Sequence, residues 1–170
     1  MMMRMLEAGG IEPLVDEHRP PDESNPLGYY EFEPVKRLAE DASWIGQACG
    51  KAVKVVSALV RYLPVGPQYD VVFMNRPLDQ VLASQRRMLE RLGKKPSQDD
   101  ERMGRLFERH LREVKAYLRA RQDVALLEVD YPAVVSDPLG QAARVSEFLG
   151  GRLDVEAMVA AVEPRLFRQR

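Results

Sequence analysis

Tyr69-Asp-Val-Val-Phe-Met-Asn-Arg-Pro-Leu-Asp-Gln-Val-Leu-Ala-Ser84 is an apolar strand that gives way to a polar turn and then to the start of a helix. Val71, Val72 and Phe73 form a continuous apolar run, which suits a strand covered on both faces. Arg76 follows at the carboxyl end, Pro77 fixes the turn, and Asp79 suits the N-cap of a helix whose apolar positions are Val81, Leu82, Met88, Leu89 and Leu92. Open parallel sheets bind ligands where strands end and helices begin. A guanidinium fork at Arg76 and a hydroxyl at Ser84, a little over one turn into the helix, can share one phosphate. The same two residues also suit a solvated loop cation and a helix surface hydroxyl, so the anion site is an expectation for the structure to weigh.

Outward from this stretch, strands and helices alternate. Lys51-Ala-Val-Lys-Val-Val-Ser57 reads as a first strand, Tyr69 to Met74 as a second, and Asp123 to Asp130 as a third. Helices are expected at about 79–92, 98–121, 139–149 and 155–162, with another over Met1 to Ala8 that Gly9-Gly10 stops. Pro34 suits a short helix reaching Glu40, and Trp44 with Ile45 another that ends near Gly50. Residues 11–30, with Pro13, Pro20, Pro21, Pro26 and Gly28, read as a long irregular connection. This order predicts an α/β fold, a parallel sheet of three recognisable strands flanked by helices, in a single domain over 1–170.

Composition narrows the function. The 25 Lys and Arg are balanced by 26 Asp and Glu, a net charge of −1, so no global field attracts nucleic acid or an anionic membrane. Cys49 stands alone, which removes an internal disulfide and fits a reducing compartment; a small buried residue is expected there. No apolar run is long enough to span a membrane, and no secretory leader is visible. A cytoplasmic chain is expected. No Cys, His or carboxylate cluster has metal spacing, so no metal site is expected. His110 falls within the apolar stripe of the long helix and reads as a packed histidine; His18 reads as a loop residue.

Taken in order, several segments resemble the sulfotransferase family, bacterial single-domain members in particular, within the P-loop nucleotide-binding folds. They are Met3-Arg-Met-Leu-Glu-Ala-Gly-Gly10, Asn25-Pro-Leu-Gly-Tyr-Tyr-Glu-Phe-Glu33, the strand at 51–57, the 73–84 turn, Asp130-Tyr-Pro-Ala-Val-Val-Ser-Asp-Pro138 and Phe148-Leu-Gly-Gly151. The resemblance implies that the strand-Arg-helix-Ser segment binds the 3′-phosphate of the donor 3′-phosphoadenosine 5′-phosphosulfate (PAPS) through Arg76 and Ser84. Alignment on Pro77 and Asp79 puts Asn75 at the phosphate-binding arginine instead, whereas alignment on Ser84 restores Arg76. Tyr131 falls where the family often places a tyrosine beside the adenine, a position equally suited to a core aromatic at a strand end. The resemblance also implies a first strand and a Pro-Arg/Lys-Ser-Gly-Thr loop before the opening helix. Met1 stands where that loop would end, so the expectation is either a truncated form whose true start lies upstream or a natural shortened relative that no longer does the chemistry, inactive as it stands in both cases and with uncovered sheet edges open to self-association.

In the transfer that the resemblance implies, an acceptor hydroxyl or amine attacks the sulfuryl group in line with the departing phosphate, with a base on the entering side. Glu31 and Glu33 are the candidate bases, although Glu33 directly before Pro34 also suits a helix N-terminus. The acceptor is expected to be a small molecule or a saccharide. Two rivals stand beside this reading: a non-catalytic binding or oligomerising protein, and a nucleotide kinase, which would need a Gly-Lys-Ser/Thr loop that these residues do not contain.

Overall fold

A computed structural model describes residues 1–16, 28–78, 80–81 and 100–163. Strand β1 (Tyr69–Asn75) lies parallel to β2 (Val124–Asp130), in register from Tyr69 opposite Val124 to Asn75 opposite Asp130. Parallel neighbours need a crossover on one face. Its returning arm is helix α2 (Asp100–Ala120), with α1 (Met2–Ala8) opening the chain and α3 (Tyr131–Ser136), α4 (Pro138–Phe148) and α5 (Val155–Ala160) following β2.

Side-chain alternation along the strands divides the core in two. Val72, Met74, Leu127 and Val129 face a cluster built on Met5, Val134, Val145 and Met158, which draws on α1, α3, α4 and α5. Val71, Phe73 and Leu126 face the other way, onto Val114 and Leu118 of α2 and onto Trp44, Val60 and Leu63 from short 3-10 turns. Both faces of the pair are therefore covered, as the continuous apolar run of β1 requires.

The three-stranded sheet is corrected to two strands among the described residues. The 51–57 segment sends Val53 and Val55 into the α2-side cluster, yet its backbone pairs elsewhere: Ala52 N–H donates to the Glu12 carbonyl at 2.9 Å, and Leu14 N–H to the Ala52 carbonyl at 2.9 Å. A single parallel bridge between Pro13 and Ala52 results. Alternation of side chains records which faces are covered; it carries no information about the backbone partner.

The helices begin where their capping chemistry allows. Asp137 accepts from Gly140 N–H at 3.0 Å to start α4, and Asp154 from Ala157 N–H at 2.9 Å to start α5. The α3 helix was not among the expected elements; Pro132 stands in its first turn, where a missing N–H costs nothing. Residues 33–37 and 43–48 form 3-10 turns rather than full helices. Cys49 is exposed, not buried; it follows the last residue of the 43–48 turn, whose buried residue is Trp44. The helix expected at about 79–92 lies largely outside the described residues, although Val81 N–H donates to the Pro77 carbonyl at 3.1 Å in its first turn.

Candidate functional site at the carboxyl ends of the strands

Because Asn75 and Asp130 are opposite one another, the residues that follow, Arg76 and Tyr131, leave the sheet side by side. The Arg76 guanidinium carbon stands 5.0 Å from the centroid of the Tyr131 ring, within the range of cation–π attraction. Arg76 Nε also lies 3.5 Å from Gln80 Oε1, the outer limit of a hydrogen bond. Pro77 turns the chain immediately afterwards, so the guanidinium is held between the start of a helix and an aromatic face. A planar cation beside an aromatic ring at the ends of parallel strands can take an anion and a flat heterocycle together. Ser84 and Asp79 lie outside the described residues, as do His18 and the basic tail over 165–170.

Asn75 points to the other side of the sheet. Its amide donates to Glu128 Oε2 at 3.1 Å, and Glu128 also accepts from Lys115 at 2.7 Å and from Arg119. The Lys115 ammonium is the main cause that holds the Glu128 carboxyl below its ordinary pKa, with Asn75 and Arg119 adding to it against the opposing effect of burial. Lys115 in turn lies 5.2 Å from the Phe73 ring centroid. Sequence reasoning missed Glu128 and Lys115; the available signal was one carboxylate set inside the apolar run Val124-Ala-Leu-Leu-Glu-Val129.

Glu31 and Glu33 come together around Lys36, which stands 3.9 Å from the first and 2.6 Å from the second. Lys54 approaches Glu31 at 3.6 Å and donates to the Tyr29 carbonyl. The Glu31 carboxylate is 22% exposed and that of Glu33 48%. Between these chains Tyr30 takes a φ of +51°, uncommon for a residue with a side chain, and its phenol donates to Glu7 of α1. Burial first, then that bond to a carboxylate, pushes the Tyr30 hydroxyl up to about 12. The strained residue thus fastens the end of the long connection to the opening helix. His110 is half-buried, with Nε2 3.0 Å from Ser57 Oγ, a packed and partnered histidine as expected.

Among the described residues, no group of three or more His, Cys, Asp or Glu could hold a metal ion, and no helix is long and apolar enough to cross a membrane. A family profile described as "Sulfotransferase family" matches residues 12–154. That span is most of the 170 residues, and the chain belongs to the sulfotransferase family. Comparison with curated proteins and with solved structures found no match. Membership sets the chemistry at the level of sulfuryl transfer.

Proposed function

We propose that the protein takes part in sulfuryl transfer from PAPS to a hydroxyl or amine of a small-molecule or saccharide acceptor, with the donor nucleotide bound at the carboxyl ends of β1 and β2. The observation that carries this reading is the Arg76–Tyr131 pair, brought together by the parallel register at the edge where such sheets take nucleotides. Arg76 grips the 3′-phosphate and Tyr131 lies against the adenine, with Ser84 supplying a third donor. Asn75 serves from the far side of the strand, steadying the carboxyl end of β1 through Glu128. Of the two candidate bases, Glu31 is the better sheltered, and its neighbour Tyr30 holds the segment against α1.

Calorimetric titration with adenosine 3′,5′-bisphosphate tests the donor site. Removing a charged hydrogen-bond partner costs about 1.5–3 kcal/mol, so Arg76→Ala is expected to weaken binding roughly ten- to hundredfold. Tyr131→Leu is expected to weaken it less, through lost ring contact alone. Equal affinity in the parent and in Arg76→Ala would overturn the assignment.

A further inference from the structure

The outer edge of β1 is left open. Tyr69 N–H donates to the Asp123 carbonyl at 2.9 Å, so in this parallel ladder Tyr69, Val71, Phe73 and Asn75 turn their backbone groups toward β2. Asp70, Val72 and Met74 turn theirs the other way. Among the described residues, no hydrogen bond reaches the backbone N–H or carbonyl of any of these three. The strand that carries the edge is nevertheless covered on both faces: Val72 and Met74 are half-buried against the cluster of Met5 and Met158, and Val71 and Phe73 pack on the α2 side. Unpaired backbone groups beside two apolar layers carry a cost that a further strand removes. Edges are commonly blunted by charge, proline or a bulge. The outer edge of β2 has such protection, since Asp130 and Glu128, the latter held by Lys115 and Arg119, stand among its outward residues. On β1 the one charged residue is Asp70, near the start, and the register runs without proline or bulge.

We propose that this edge pairs with the same edge of a second copy of the chain, antiparallel, across a two-fold axis at Val72. In that register Val72 faces its own counterpart and Asp70 faces Met74 of the other copy, and each facing pair exchanges both of its N–H···O bonds. Every outward group of both strands is then satisfied. A slide by two residues leaves one of the three opposite a position outside the strand. A slide by four in one direction sets Asp70 against Asp70, a like-charge pair that opposes pairing. In the proposed register the two aspartates are about 14 Å apart along the strands, beyond a Debye length of about 8 Å. A second copy is the occupant because the edge complements itself in both hydrogen bonding and charge. The two-stranded sheets join into one of four strands, with the Met5–Met158 clusters side by side on one face. Such a sheet stands alone where two strands are marginal.

Sedimentation velocity on the full chain from about 1 to about 100 μM, with amide hydrogen exchange at both ends of that range, tests the proposal. A monomer–dimer equilibrium is expected. The Val72 and Met74 amides should exchange roughly tenfold or more slowly at the high concentration, while those of Val71 and Phe73 are protected at both. Asp70→Pro removes an N–H that faces outward, so every bond between β1 and β2 survives. It should weaken dimerisation roughly tenfold or more. Exchange in the parent decides the matter if that variant fails to fold. A chain that stays monomeric, growth beyond a dimer, a dimer whose Val72 and Met74 amides exchange as in the monomer, or one that ignores Asp70→Pro would each overturn the proposal.

Discussion

Arg121 donates through two nitrogens to the two carboxylate oxygens of Asp123, at 2.8 and 2.6 Å, to the carbonyls of Leu63 and Pro64, both at 2.8 Å, and to the Tyr117 hydroxyl at 3.3 Å. Gly66 N–H adds a bond to Asp123 at 3.2 Å, and the guanidinium stands 5.3 Å from the Tyr69 ring. The hydrogen bonds from Arg121 hold the Asp123 carboxyl well below the usual carboxylate range. A carboxyl depressed in the folded state contributes stability that is fully present above its unfolded pKa, about 3.9, and that is lost as pH falls further. Asp123→Asn should therefore be less stable than the parent by a constant margin from neutral pH down to about pH 5, and the margin should shrink below about pH 4. Urea midpoints measured across that range check it; a margin as large at pH 2 as at neutral pH contradicts it. This clamp was not visible in the sequence, where Arg121 and Asp123 are two charges at the end of a helix and only the structure brings Leu63 and Pro64 to them. Arg76 and Tyr131 were singled out there, but their adjacency depends on register, which no local pattern specifies.

Helix ends and crossings set the next scale. Gly9 has an ordinary φ of −73°, so its small size is used for proximity: an added Cβ would lie 2.8 Å from Met158 Cγ and 3.2 Å from the Met5 carbonyl. Asp154 N–H donates to the Gly9 carbonyl at 3.2 Å, which joins the start of α5 to the end of α1. Gly9→Ala is expected to cost about 1–3 kcal/mol through overpacking, measurable as a lower urea midpoint with an unchanged slope. Asp137→Ala removes the α4 cap and should cost about 0.5–2 kcal/mol; Gly140 admits that cap, since its Cβ would fall on the Asp137 carboxylate. Elements with a strong local signature were legible: β1, β2, the long α2, and the two helices opened by Asp137 and Asp154. Lys51–Ser57 misled because its alternation is genuine while its backbone bonds run to Glu12 and Leu14. The α3 helix escaped notice because its six residues are too few to display a period.

At the scale of the whole chain, two apolar clusters share one thin sheet. Two strands alone are marginal in water, so neither cluster keeps its floor if the other dissolves. Trp44, the sole tryptophan and 4% exposed, reports on the α2 side, whereas Met158 is fully buried on the opposite side. Met158→Ala should cost about 2–5 kcal/mol. If the chain is one domain, the loss will lower the midpoint seen by Trp44 fluorescence and by far-ultraviolet circular dichroism equally. Divergent midpoints would mean two units that unfold separately.

The pairing of Asn75 with Asp130 acts as a ruler for everything mounted beyond it. One residue inserted into or deleted from β2 would displace the tyrosine by about 3.3 Å relative to the arginine and exchange the inward and outward sides of every residue past the break. Such an indel could still yield helical material that passes a purity check while the contact between Arg76 and Tyr131 is gone. Selection on this segment therefore acts on counting as much as on composition.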